Sequence, residues 1–198
     1  VETIAILPFD AVPGTDGTDY GHVADGVQDA LSTELARVPG IARVIARGST
    51  RRVAAAGKTI PEIARALGVT TVVTGAVKSV GNRLQITARV IDAGTERELW
   101  ANTLASDESG LPVVQRDIVQ GIVGALRLEV AAEHQTRLAS TADIDAQTYE
   151  AYLRGMSHLH KGTPQDRVKG LAYLREAADR DPGNAHAWAG LALGYVTI

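Results

Sequence analysis

The spacing of hydrophobic positions changes several times along the chain, and each change marks an element. The clearest stretch runs from Gly68 to Asn102. Val69, Val72 and Val73 form a short β-branched run, and Gly81-Asn82 offers a turn. Leu84, Ile86, Ala88 and Val90 then alternate with Gln85, Thr87 and Arg89. A period of two means a strand with one buried and one wet face. A second turn at Asp92-Ala93-Gly94-Thr95 leads into a third run, Glu96 to Leu104, which carries Leu99 and Trp100. Strands joined by such short loops predict an antiparallel meander, whose apolar face has to be covered by helices.

Upstream, Thr3 to Phe9 reads as a buried strand, and Pro8 predicts that its ladder ends there or runs along an edge. A loop rich in Pro, Gly, Asp and Thr follows. From Gly21 to Val38, the residues Val23, Val27, Leu31, Leu35 and Val38 share one helical face, and Pro39-Gly40 stops the helix. Ile41 to Ala46 reads as a second strand, so strand, helix and strand make a parallel, right-handed crossover unit. A short alanine-rich helix is expected from about Arg51 to Ala56. Thr59-Ile60-Pro61-Glu62 is a helix start with a capping box, and Gly68 ends that helix. After the meander, Leu111 to Ala132 is expected as a long helix with Val114, Ile118, Ile122, Ala125 and Leu126 on its core stripe. Gly121 and Gly124 each cost about 1 kcal/mol of helix propensity relative to Ala, which suggests close packing on the sheet.

From about Gln135 the strands vanish. A polar linker, Ser140 to Asp145, precedes a purely helical pattern. Tyr149, Tyr152, Leu153, Met156 and Leu159 make one amphipathic helix. Val168, Leu171, Leu174 and Ala178 make the next, and a third begins after Asp181-Pro182-Gly183-Asn184. The expected fold is therefore α/β, with a mixed sheet of parallel crossover units plus an antiparallel meander and helices packed on it, followed by an all-α segment. The boundary near Ser140 divides the chain into 1–139 and 140–198.

Composition narrows the classes of function. The chain has 198 residues, a formal net charge of −3, 45% hydrophobic residues and no cysteine. That excludes disulfides, thiol catalysis and cysteine-ligated zinc. A pI near 6.0 gives no global pull toward nucleic acid or anionic lipid. No apolar run reaches the length of a membrane span. The chain begins at Val1 and stops at Ile198 inside a helical pattern, which reads as a piece of a longer protein. Membrane attachment is expected only through a segment outside it.

Two resemblances carry further expectations. The phrases IAILPF, ADG, ARALGV, GNRLQITARVID and ELWA, in that order from Thr3 to about Ala132, resemble the TolB amino-terminal-like domain and the related FlgO-like domains. From Gln147 onward the chain is similar to the tetratricopeptide repeat. Trp188, Leu191 and Tyr195 stand at that repeat's W-x2-L-x3-Y spacing, while Gly170, Ala177 and Pro182 match the second helix and boundary of the preceding repeat, so Trp188 and Tyr195 are expected to pack within the repeat stack. The first repeat departs from the pattern in the loop between its helices. In bacteria this pair of modules resembles the regulatory half of winged-helix transcription regulators of the CadC type, class III adenylate cyclases or Ser/Thr kinases. The resemblance implies a non-catalytic sensory fragment that takes a protein or peptide partner in the repeat groove, on either side of the inner membrane. It implies no cofactor. A purely architectural dimerisation spacer is an alternative, and such repeats, which need neighbours, would also allow self-pairing through their exposed end.

The candidate chemistry is sparse. Arg47, Gly48, Ser49, Thr50, Arg51 and Arg52 lie where a parallel strand should end, and free N–H groups at a helix start favour an anion. Against that, Ser49 or Thr50 can serve as a simple cap beside solvated arginines. A nucleotide at this helix start is the enzymatic rival reading. Asp10, Asp16, Asp19 and Asp25 surround the first loop but match no calcium-loop spacing, and turn chemistry accounts for them. The histidines, His22, His134, His158, His160 and His186, form no HExxH, and no Ser/His/Asp set is readable. Arg37, Arg43, Arg47, Arg51, Arg52 and Lys58 would form a basic patch, yet aromatics make up only 4% of the chain, too few for stacking on single strands. No catalytic residue, no metal site and no nucleic-acid partner is expected.

Overall fold

A computed structural model describes residues 2–13, 18–81, 83–107, 110–128 and 145–196. Its six strands are β1 (Glu2–Ile6), β2 (Asp10–Val12), β3 (Ile41–Val44), β4 (Thr71–Val80), β5 (Arg83–Asp92) and β6 (Glu98–Ser106). The helices are α1 (Gly21–Leu35), α2 (Arg47–Ala54), α3 (Ile60–Leu67), α4 (Leu111–Ala125), α5 (Ala146–Lys161), α6 (Pro164–Arg180) and α7 (Ala185–Val196).

The strands form one mixed sheet in the order β3-β1-β4-β5-β6. β1 is parallel to both β3 and β4, as the crossover reading requires. β4, β5 and β6 form the antiparallel meander, with Val77 opposite Ile86 and Ile86 opposite Leu104. β2 was not foreseen. The chain turns at Leu7-Pro8-Phe9 and then resumes along the same edge of β4, pairing Asp10 with Ala76. Proline ends the first ladder because it brings no N–H, but the next residues find the unpaired remainder of β4.

Strand alternation splits the core in two. Ile4 and Ile6 face α1 and α4 together with Val73, Val77, Ile86 and Val90. Ala5 and Leu7 point the other way, onto α3 through Ile63 and Ala64. The meander's second face stays polar, and the Thr87 and Thr103 hydroxyls pair across it at 3.0 Å. Trp100 packs under α4. A Cβ on Gly121 would lie 2.3 Å from its ring, so that glycine does mark a close approach. Gly124 touches nothing within 4 Å.

Several boundaries behave as the sequence predicts. Thr59 and Glu62 close the capping box, and Gly68 ends α3 in the left-handed region at φ 65°. Asp92 Oδ1 accepts from the backbone N–H of Gly94 and Thr95 and from the Thr95 hydroxyl, which fixes the β5–β6 turn. Two boundaries differ. α4 stops at Ala125 rather than near Ala132, and Arg127 has a φ of 54° that a helix cannot continue through. α2 begins at Arg47, four residues earlier than expected. The Ser140 boundary, Asp16, Asn82 and His134 lie outside the described residues.

The three C-terminal helices pack on one another through small residues. Gly155 on α5 and Gly170 on α6 sit so close that a Cβ on Gly170 would be 2.9 Å from the Gly155 carbonyl oxygen. Gly190 and Gly194 bring α7 onto Leu174 and Leu171 in the same way. α5 also belongs to the α/β core: Tyr149 and Leu153 are buried among α1 and α4 side chains. Gly26 is the reason it fits. A Cβ there would stand 2.1 Å from Leu153 Cδ2. No described helix is long and apolar enough to cross a membrane.

Candidate functional site

The residues singled out around Arg47 meet at the place where α1, α2 and α5 converge. Arg47 is the first residue of α2, after Ala46, which offers no side-chain cap. Ser49 and Thr50 therefore sit inside the helix and cap nothing: the Ser49 N–H donates to the Ala46 carbonyl, and Thr50 Oγ1 donates to the Arg47 carbonyl at 3.0 Å. Thr50 is buried and accepts from Gln28 Nε2, which also donates to the Ile6 carbonyl at 2.9 Å. Gly48 has open space where a side chain would be.

Arg47 is not offered to solvent. Its side chain is 11% exposed and is held by two α1 carboxylates, one guanidinium nitrogen on Asp25 Oδ1 and the other on Asp29 Oδ2 at 2.8 Å. Arg51 reaches the same Asp25 oxygen at 3.2 Å. From α5, Ser157 donates to Asp25 Oδ2 at 3.1 Å. His160 Nδ1 lies 2.9 Å from Arg47 Nη1 and 3.2 Å from Asp29 Oδ2. Burial lowers the His160 pKa; Asp29 opposes that shift and Arg47 reinforces it. A neutral imidazole either accepts from Arg47 or donates to Asp29 through that nitrogen. Burial raises the Asp29 pKa, against the pull of His160 and Arg47.

The cluster is thus charge-balanced, bonded through both Nη atoms of Arg47 with its Nε buried and unpartnered, and it spans both halves of the chain. An anion arriving at α2 would meet an arginine already answered by two carboxylates. What the arrangement does is hold α5 against α1 and α2. It leaves no unengaged base beside a nucleophile, and no group of three or more His, Asp or Glu among the described residues is placed to hold a metal ion.

The other candidates disperse into local roles. Asp19 Oδ1 accepts from the Gly21 N–H at the start of α1, and Asp10 lies in β2. Arg37 pairs with Glu34, while Arg43 donates to the Leu67 and Gly68 carbonyls at the end of α3. His158 bonds Asp166 and stacks on Tyr173. Of the positions matched to the repeat, Ala177 and Leu191 share one buried cluster with Leu174, and Gly170 faces α5. The Pro182 carbonyl accepts from Trp188 Nε1 at 2.9 Å. Trp188 and Tyr195, expected inside the stack, are 49% and 50% exposed. The small stripe Ala187, Gly190, Leu191 and Gly194 takes the contact with α5 and α6 and leaves both aromatics on the outer side of α7.

Sequence reasoning missed Asp29, Ser157, Gln28 and Gln115. The missed signal was Asp25 and Asp29 at i, i+4 on a helix that also carries Gln28, a polar set too large for an otherwise apolar face.

No family model matches the chain. Over 197 residues, 98% of its length, it is 33% identical to a protein of Rhizobium meliloti (strain 1021) named "Putative adenylate cyclase 3". The chain spans 33% of that protein's length. Among solved structures, TolB from Acinetobacter baumannii overlays with a TM-score of 0.48 at 19% identity, covering 64% of this chain and 28% of that one. Lipoprotein GNA1162 from Neisseria meningitidis gives 0.42 at 20% identity, covering 64% of this chain and 97% of that one. Overlays at that level carry no weight for fold or function. The similarity to the Rhizobium protein runs through nearly the whole of this chain and about one third of that protein.

Proposed function

We propose that the chain is a non-catalytic regulatory and docking segment of a larger bacterial signalling protein, with the chemistry supplied by another part of that protein. The observation that carries this reading is the lopsided coverage: 98% of this chain corresponds to only 33% of a protein named as a cyclase. Two thirds of that relative's length is left over for a cyclase domain. The charge-balanced Arg47 cluster is consistent with a structural rather than a catalytic assignment. Incubating the purified chain with ATP and Mg2+ or Mn2+ should give no cyclic AMP, and measurable turnover would overturn the reading.

The docking surface proposed is the helical segment, taken as tetratricopeptide-like. Trp188 and Tyr195 lie outward on α7, where aromatic rings with a polar edge suit a protein interface. Peptide-library panning against the chain should yield binders that lose affinity in Trp188→Ala; binders indifferent to this substitution and to Tyr195→Ala would move the surface elsewhere. The same exposed rings, with Val196 beside them, favour self-association as a second reading. Light scattering over a concentration range separates the two, because a monomer at all concentrations leaves only the partner.

A further inference from the structure

A cleft at the junction of the two halves is a better-built site than the helix start. Its floor is α1, at Ala30, with Thr33 at the edge; one wall is α4, at Pro112, Gln115 and Val119; the other is α5 and α7. That second wall is aromatic. The rings of Tyr149 and Tyr152 lie 6.1 Å apart, and those of Tyr152 and His186 lie 6.0 Å apart. The cleft encloses about 520 Å³, counting space open to solvent, of which about 40 Å³ can take the centre of a water molecule. That enclosed part is well under the roughly 150 Å³ that holds a benzene ring, so it takes the amide edge of a guest while the ring lies in the open mouth.

Gln115 turns this cleft from a gap into a site. It is 4% exposed and lines the wall. Its Oε1 accepts from the buried Tyr149 hydroxyl, and its Nε2 has no partner. A buried amide donor left unpaired costs stability that a partner would restore. Oε1 has a second lone pair, so the side chain presents one donor and one acceptor edge to edge. Another planar amide complements that edge: its carbonyl takes the Nε2 proton while its N–H reaches Oε1. The charged groups beside the cleft are already paired, Glu34 with Arg37 and Arg116 with Asp117, so a charged guest would enter without a counter-ion. Burial also keeps the His186 pKa below its ordinary value.

We propose that this cleft binds a small uncharged ring bearing an amide or lactam, paired to the Gln115 side chain and seated against the Tyr149, Tyr152 and His186 rings. Such a guest touches helices from both halves and braces their junction. It is a small-molecule site, separate from the partner surface on the outer side of α7.

Benzamide is the probe. Titrated into the isotope-labelled 198-residue chain, it should shift the Gln115 side-chain NH2 resonances saturably. Gln115→Met keeps the size but removes the amide, and it should weaken benzamide roughly ten-fold, the worth of about one buried hydrogen bond. Toluene, which has no amide, should bind no more weakly to Gln115→Met than to the parent chain. Thr33→Trp, at an exposed position on the cleft's edge, should block both probes without touching the core. Waters alone occupy the cleft if the Gln115 resonances stay unmoved at the solubility limit of benzamide. That result overturns the proposal, as does a benzamide affinity unchanged by both substitutions.

Discussion

At the scale of single residues, Arg47 ties α1, α2 and α5 together through one side chain. Removing it leaves Asp25 and Asp29 facing each other across one turn of α1, both partly buried. Breaking such a pair from one side costs about 3–5 kcal/mol when fully buried and less where water reaches in, so Arg47→Ala should lose about 2–3 kcal/mol in urea unfolding. Arg47→Lys should recover part of this, since an ammonium keeps the charge but cannot fork between two carboxylates and an imidazole. The histidines set the pH response. Burial lowers the pKa values of His22, His160 and His186 from 6.5. The unfolded chain then binds more protons near that value, so stability should fall as pH drops below about 6.5 and level off below the folded-state values. Asp29 acts in the opposite sense at lower pH: its raised folded pKa returns stability as pH falls from that value toward 3.8. The urea midpoint should therefore drop on acidification from neutral pH, with a shallower slope in His160→Asn, which mimics Nδ1 but cannot charge. Arg47, Arg51, Asp25 and His160 stood out in the sequence, but their meeting with Asp29 and Ser157 in one network was not legible, because its members come from α1, α2 and α5, and spacing reports only neighbours on one element.

At the scale of elements, the sequence was most informative where the chain talks to itself locally. The α3 cap, the Gly68 stop and the alternation of β5 rest on residues a few positions apart, and each appears as read. β2 was lost because Pro8 looked like an ending, and three residues are too few to show a period. α2 was misplaced because Ser49 and Thr50 resemble N-caps yet lie inside its first turn, and its position follows from contacts to Gln28 and α1. Glycines on helices divide by what faces them. Gly26→Ala should destabilise by about 1–3 kcal/mol, because the added methyl meets the buried Leu153 and overpacking outweighs the propensity gain. Gly124→Ala should stabilise by up to about 1 kcal/mol, since nothing lies within 4 Å of the new Cβ. Thermal unfolding of the two variants should move in opposite directions.

At the scale of the whole molecule, the helical segment and the α/β layer share a core through Tyr149 and Leu153. The two tryptophans, Trp100 under α4 and Trp188 on α7, report on the two parts separately. Single-tryptophan variants, Trp100→Phe and Trp188→Phe, should show coincident denaturant transitions if the junction makes one cooperative unit; midpoints well apart would mean the halves unfold independently. Sheet order has a further consequence during synthesis. β1 is the first strand made, yet its neighbour β4 follows it by 67 positions, from Ile4 to Thr71. At about 5–20 residues per second, the apolar Ile4-Ala5-Ile6-Leu7 run waits roughly 3–13 s on the ribosome before its template arrives. Until then it has only β3, which pairs it on one edge, and a nascent chain in that state is a natural client for a holding chaperone.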